Sequence, residues 1–377
     1  MKILIVSDAW RPQINGVVRT LEATATELLG LGHEALIVGP EKNRRMAFSA
    51  PFYPEITLEL FAGRRLAQLL RTFQPDFVHI ATEGPLGWAA RRLCLKRGLG
   101  FTTAYHTRFP EYLGVRSPHW LAGFIQAATY SVLRRFHAPA SAVMVATDSL
   151  ERLLQRHGFR RLARWSRGVD SQLFQPYGKS LPMISDLPRP ILLSVGRIAP
   201  EKNLRRFLDL SMPGAKVVIG DGPELEALKA EYPNVCFLGA LTGEILARHY
   251  AAADLFVFPS STDTFGLVLL EACSAGLRIA SVSAPGPKDI FASAEAEAFA
   301  VVDDDLGRSV TRALQLADEP ERPRSFARRF SWEACTRQFL DHVQAPMPLP
   351  ALRAVPRWER VARMFGPSRA GGPAGHG

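Results

Sequence analysis

An alternation that runs through the chain twice restricts its fold more than any other feature. Short apolar runs at 2–7, 33–38, 76–80, 101–105 and 142–146 alternate with helical periodicity at 17–31, 60–73, 85–97 and 148–156. After a proline-dense stretch the pattern starts again, with apolar runs at 191–195, 215–219, 235–238, 254–258, 278–281 and 298–301. Strands alternating with helices predict βαβ units and parallel sheets. The chain has 377 residues, too many for one ordinary core, so two α/β domains are expected. Pro176, Gly178, Pro182, Pro188 and Pro190 mark a linker. The expected layout is an N-terminal domain at 1–171, the linker at 172–190, a C-terminal domain at 191–330 and a terminal amphipathic helix at 331–345. The tail, 346–377, is rich in Pro, Gly, Arg and Ala; it is expected to be disordered, with a short basic amphipathic piece at 358–365.

Composition excludes several classes. Apolar content of 47% and charged content of 22% are those of a globular protein, and no apolar run reaches the roughly 18 residues of a membrane helix. The start of the chain is too short in its apolar part for a signal peptide. Cys94, Cys236, Cys273 and Cys335 lie far apart, without metal or redox spacing, which fits a reducing cytosol. The net charge of +10 is uneven: residues 64–164 hold sixteen Lys/Arg against five Asp/Glu. Such an excess suits either an anionic partner or a solvated face. A nucleic-acid-binding protein is the reading from charge alone, but zinc, homeodomain and RNP-type signatures are missing.

In open parallel sheets, functional groups collect beyond the carboxyl ends of the strands. The first such loop carries Asn15-Gly16 and lacks the G-x-G-x-x-G fingerprint, so an NAD site is not expected; a lone glycine there still lets a backbone N–H approach phosphate. His106 follows another strand. Arg197 and Lys202 follow the first strand of the second domain, where two fixed cations suit a diphosphate. Asp263 and Thr264 stand where a helix is expected to begin, as caps for its first turn, with Phe265, Gly266 and Leu267 next and Gly276 ending it. A helix N-terminus binds anions. Glu271 supplies a second acid eight residues after Asp263, and paired carboxylates suit sugar hydroxyls. The run Asp303-Asp304-Asp305 reads as a helix cap or a metal ligand set.

The stretch from Asp263 to Glu271 resembles the acid-x7-acid signature of the retaining glycosyltransferases of family 4, which have the GT-B fold. Asp263-Thr264-Phe265-Gly266 stands in place of the usual E-P-F-G and is similar to the branch that makes glycolipids and mannosides. Asn15-Gly16-Val17 resembles the family's N-G-V loop. Gly196-Arg197 with Lys202-Asn203 resembles its diphosphate-binding pair, and the segment around His106 its acceptor-side histidine motif. Arg167-Gly168-Val169-Asp170 matches an N-G-V-D-type junction with Arg for Asn. The resemblance implies two Rossmann-like parallel-sheet domains facing a cleft, with the terminal helix returning to the N-terminal domain. It implies a donor site made by Gly16, Arg197, Lys202, Asp263, Thr264, Phe265, Gly266, Leu267 and Glu271. Within it Glu271 takes the donor ribose, Asp263 the sugar hydroxyls, and His106 lies near the reacting face. The catalytic set is then His106, Asp263, Arg197 and Lys202.

The activity so implied is a retaining hexosyl transfer from a UDP- or GDP-sugar. The donor sugar is a hexose or hexuronic acid, and the acceptor is a diacylglycerol-like membrane lipid. The alternative is a GDP-mannose-dependent α-mannosyltransferase with another acceptor. An epimerase or a phosphorylase on a related fold stays open; a phosphorylase would need a pyridoxal-bearing lysine. No D-x-D metal motif is evident between the two domains, so no essential metal or other cofactor is expected. Residues 119–136 mix Trp120, Phe124 and Ile125 with Arg134 and Arg135. They form either an interfacial helix on an anionic membrane or a helix packed in the N-terminal core. The expected location is cytoplasmic, peripheral at the inner face of the cytoplasmic membrane.

Overall fold

In strand β1 (Lys2–Val6) all four apolar residues are buried: Ile3 and Ile5 face one side, Leu4 and Val6 the other. Alternation of this kind makes a strand covered on both faces. The computed structural model, which describes residues 1–13, 15–41, 47–50, 53–60, 62–108, 110–111, 113, 118–178 and 184–345, builds a six-stranded parallel sheet around β1. Its other strands are β2 (Glu34–Val38), β5 (Phe77–Ile80), β6 (Thr102–Ala104), β7 (Val143–Val145) and β8 (Leu162–Arg164), in the order β2-β1-β5-β6-β7-β8. Leu4 and Val6 pack with helices α2 (Gly63–Thr72) and α3 (Pro85–Arg97) through Leu66, Leu70, Leu86 and Cys94. Ile3 and Ile5 pack with α1 (Gly16–Gly30) through Leu21 and Leu28. Helices α4 (His119–His137) and α5 (Asp148–Arg156) complete this half. An antiparallel pair, β3 (Ala47–Ala50) with β4 (Tyr53–Glu59), lies outside the sheet and was not expected.

The second sheet repeats the plan with β9 (Ile191–Val195), β10 (Ala215–Ile219), β11 (Cys236–Phe237), β12 (Leu255–Phe258), β13 (Arg278–Val282) and β14 (Ala300–Asp303). Their order is β11-β10-β9-β12-β13-β14, all parallel. The helices are α6 (Arg205–Leu208), α7 (Leu225–Glu231), α8 (Gly243–Ala252), α9 (Leu267–Ser274), α10 (Pro285–Ile290), α11 (Leu306–Gln315) and α12 (Glu321–Arg328). Asp305 caps α11, accepting from the Arg308 N–H at 2.8 Å, and the neighbouring Asp303 accepts from the Arg308 guanidinium. In both sheets the chain order reverses beside the first strand, between β1 and β5 and between β9 and β12. Ligand crevices form at such switch points.

Two segments join the halves. Within 172–190, Phe174 and Ile184 are buried in the core of the second sheet; residues 179–183 lie outside the described residues. The last helix among the described residues, α13 (Trp332–Gln344), packs Cys335, Phe339 and Val343 under the first sheet beside Ile3 and Ile5. Residues 346–377, with the basic piece at 358–365, lie outside the described residues.

Candidate active site

Each half contributes loops from its switch point. In the first half, Asp8 follows β1 and is buried. Its carboxylate accepts from the Leu86 and Gly87 N–H groups, at 2.8 and 3.1 Å, and from the Thr82 hydroxyl. This stitches the β1 loop to the start of α3. Burial is the largest influence on Asp8 and raises its pKa to about 6 against those hydrogen bonds. Asn15 then caps α1, its side-chain oxygen accepting from Val17 and Val18 N–H, both at 3.0 Å. Gly16 opens the helix and faces the other half: a Cβ built there would lie 3.7 Å from Leu267 Cδ1 at the start of α9.

His106 follows β6 and is 9% exposed. Arg167 Nη2 lies 3.1 Å from its Nδ1, and the Trp165 ring is edge-on to it at 5.8 Å. Its backbone carbonyl accepts from the Thr264 hydroxyl of the second half at 2.9 Å. Burial, with the Arg167 cation and the His79 and His137 rings close by, holds His106 well below the usual imidazole range. Within the motif around His106, Phe109 and Tyr112 lie outside the described residues.

In the second half, Gly196-Arg197 follows β9 and is laced to the loop after β10 by Ile198 N–H to the Asp221 carbonyl, 2.9 Å. A short 3-10 turn, Pro200–Lys202, presents Lys202, whose ammonium lies 2.5 Å from Asp263 Oδ1. The start of α9 departs from expectation. The helix begins at Leu267, and Asp263 and Thr264 do not cap it. Their side chains are engaged elsewhere, Asp263 with Lys202 and Thr264 with the His106 carbonyl. Gly266 precedes the helix instead, at φ +97°, where a side chain would be strained. Phe265 is buried beneath the loop. Gly276 follows the helix as expected, at φ +88°.

Glu271 is 6% exposed and held at both oxygens: Arg19 of α1 pairs with Oε1 at 2.5 Å, and the Tyr250 hydroxyl donates to Oε2 at 2.9 Å. Neither partner was picked out in the sequence. A cation in the first turn of a helix opposes the helix dipole, and that is the signal Arg19 carried. A further cross-link lies at the edge, where Asp289 of α10 accepts from the Ser149 N–H and hydroxyl at 2.9 and 2.7 Å.

The structure thus gathers Gly16, His106, Lys202, Asp263, Thr264, Leu267 and Glu271 where the two halves meet, with Arg197 on the adjoining loop. Among the described residues, the buried polar atoms without a hydrogen-bond partner here include His106 Nε2 and Asp263 Oδ2, along with Trp165 Nε1, the Tyr105 hydroxyl and Ser260 Oγ. Leaving such groups unpaired costs about 1–3 kcal/mol each, so a hydrogen bond from a ligand or water at His106 Nε2 and Asp263 Oδ2 is favourable.

Residues 14–173 match the family described as Glycosyltransferase Family 4, and residues 184–330 match Glycosyl transferases group 1. The chain belongs to the family 4 glycosyltransferases. This glycosyltransferase is 29% identical over 369 residues to a GDP-mannose-dependent alpha-mannosyltransferase of Mycobacterium tuberculosis, covering 92% of this chain and 97% of that one. It is 26% identical over 355 residues to an alpha-monoglucosyldiacylglycerol synthase of Streptococcus pneumoniae, covering 83% and 78%. Its fold is the GT-B fold. The sucrose-phosphate synthase of Thermosynechococcus elongatus superposes on it with a TM-score of 0.70 at 18% identity, covering 90% of this chain and 97% of that one.

Proposed function

We propose that this glycosyltransferase moves a hexosyl group from a nucleotide-diphospho-sugar to a lipid acceptor at a membrane surface, with retention of anomeric configuration. The observation that carries the sugar site is the pair of unpartnered atoms, His106 Nε2 and Asp263 Oδ2. A sugar hydroxyl both donates and accepts, so it can serve groups of both kinds. Lys202, Arg197, the Gly16 amide and the first turn of α9 form the complementary surface for a diphosphate. As the bond to the leaving group breaks, negative charge grows on diphosphate oxygens, and fixed cations and N–H groups stabilise it. Glu271, held by Arg19 and Tyr250, keeps accepting capacity on each oxygen for the ribose diol. Same-face transfer requires no carboxylate nucleophile, and none is assigned. The chemistry assigned to these residues requires no metal, so turnover survives EDTA.

The acceptor reading rests on α4. Its inner positions, Tyr130, Leu133, Phe136 and His137, are buried, while Trp120 is 80% exposed and Phe124 73%. Arg134 and Arg135 stand exposed near its far end. The inner face packs in the N-terminal core, and the exposed face, with Trp120 and Phe124, supports the membrane-docking reading. No helix among the described residues is long and apolar enough to cross a membrane, and the docking proposed here is peripheral. Each Lys or Arg near an anionic leaflet adds about 1 kcal/mol. The similarity to GDP-mannose-dependent relatives favours a second reading for the donor, GDP-mannose, with a non-diacylglycerol acceptor. A panel of UDP- and GDP-sugars, offered with diacylglycerol vesicles and with water-soluble acceptors, decides between them. Product only with water-soluble acceptors removes the lipid reading; no product with any donor removes the transferase assignment of the site.

A further inference from the structure

We propose that Arg167 is a positioning residue that locks His106 as a neutral imidazole with its proton on Nε2, so that His106 donates a hydrogen bond to the transferred sugar and does not act as a base. The inference deepens the function proposed above and rests on it for the identity of the ligand.

A guanidinium only donates. With Arg167 Nη2 at 3.1 Å, His106 Nδ1 must offer its lone pair, and the neutral ring carries its hydrogen on Nε2. A second proton would put an N–H against an N–H and a cation against a cation, out of water. Arg167 cannot turn away to relieve this. It is 5% exposed, its Nη1 donates to the Trp165 and Ser166 carbonyls at 2.8 and 2.9 Å, and its guanidinium lies 4.7 Å from the Trp165 ring centre. The peptide that carries it is pinned from α13: Gln338 accepts from the Ser166 N–H at 2.9 Å, and the Cys335 thiol donates to the Ser166 carbonyl at 3.1 Å.

The other titratable groups around His106 reinforce the lock. His79 on β5 and His137 at the end of α4 are the neighbouring rings, and His137 is paired with Glu83 at 3.2 Å. Arg164 and Cys335 stand near Arg167, which burial lowers to about 10, still a cation at neutral pH. No carboxylate bonded to His106 is present among the described residues to favour its imidazolium. The one ring atom left to act is Nε2, unpartnered and beside the loop that holds Asp263. A donor at Nε2 and an acceptor at Asp263 Oδ2 then read opposite ends of hydrogen bonds on the same sugar.

The test has two arms. Long-range proton–nitrogen NMR of the full chain with labelled histidine, without substrate, reads the tautomer directly; the His106 signals are assigned by their loss in His106→Gln. Nε2 is expected protonated and Nδ1 bare from pH 5.5 to 8.5. A proton on Nδ1, or titration between pH 6 and 7, overturns the proposal whether or not the transferase reading stands. In the kinetic arm, Arg167→Met should keep nucleotide affinity within about twofold and lose about 10- to 100-fold in kcat, the size of one buried charged hydrogen bond. Its acidic limb should move up relative to wild type, while staying below the ordinary histidine range because the ring remains buried. Arg167→Lys, which retains a cationic donor, should recover part of kcat and also serves if the Met variant does not fold. Identical pH profiles for wild type and both variants overturn the proposal.

Discussion

In the transfer proposed above, Arg197 and Lys202 are assigned the electrostatic work, and they stand on different local structures. Arg197 follows β9 directly, whereas Lys202 is offered by a single 3-10 turn and held by Asp263. Replacing either by Ala removes one preorganised charge from the leaving group, so turnover should fall about 100- to 1,000-fold with the melting temperature little changed. Nucleotide-sugar turnover assays and thermal melts check this. A second residue-scale outcome follows from His79, which full burial, and secondarily the Arg167 charge, lowers to about 3. It is neutral when folded, but the unfolded chain takes up a proton near pH 6.5. Stability is therefore lost as pH falls below about 6.5, by up to roughly 1.4 kcal/mol per pH unit for each such histidine. Asp8 acts in the opposite sense: its folded pKa of about 6 contributes stability that is lost as pH rises toward 6. Between about pH 4 and 6 the two neutral histidines, His79 and His106, outweigh the single carboxyl. His79→Asn should therefore show a shallower fall in melting temperature from pH 7 to pH 5.

At the scale of elements, α4 divides into a face that packs and a face that does not. Trp120→Ser with Phe124→Ser should leave the fold intact, since both side chains are mostly in water. The double variant should abolish flotation with anionic vesicles at low salt while leaving nucleotide binding unchanged. Wild-type flotation in that variant would place docking on another surface. The same scale shows what the sequence could and could not reveal. The βα alternation was legible because strands such as β1 and β9 are apolar at four of five positions and their helices are periodic. The β3–β4 pair was hidden, because Pro51 and Pro54 interrupt any strand pattern there. The start of α9 was misread because Asp263-Thr264 is good capping chemistry. Only the folded molecule shows that Lys202 and the His106 carbonyl take those side chains. Tyr250 escaped because a partner twenty-one residues away leaves no local pattern, and the cation in the first turn of α1 pointed to Arg19 without naming its partner across the two halves.

For the molecule as a whole, the contacts between halves among the described residues include specific side-chain hydrogen bonds. Asp289 holds the N-terminal turn of α5 through two hydrogen bonds, and charged hydrogen bonds contribute about 1.5–3 kcal/mol. Asp289→Ala should loosen the approach of the halves, raising the donor KM about tenfold or more and enlarging the radius of gyration in small-angle scattering. An unchanged radius and KM would assign the contact no part in closure. The placement of α13 has a different outcome, during synthesis. Ile3 and Ile5 are made first, yet their covering partners Phe339 and Val343 are made near the end of the described chain. At about 5–20 residues per second, the part of the first sheet's underside that α13 covers, beside the portion packed by α1, stays open for tens of seconds while the second half, contiguous from β9 to α12, emerges and folds. A nascent chain of this kind presents a greasy sheet face to the cell for most of its translation. A version stopped after Ser331 should need a chaperone to remain in solution, and adding residues 332–345 as a separate peptide should restore solubility in a pelleting assay.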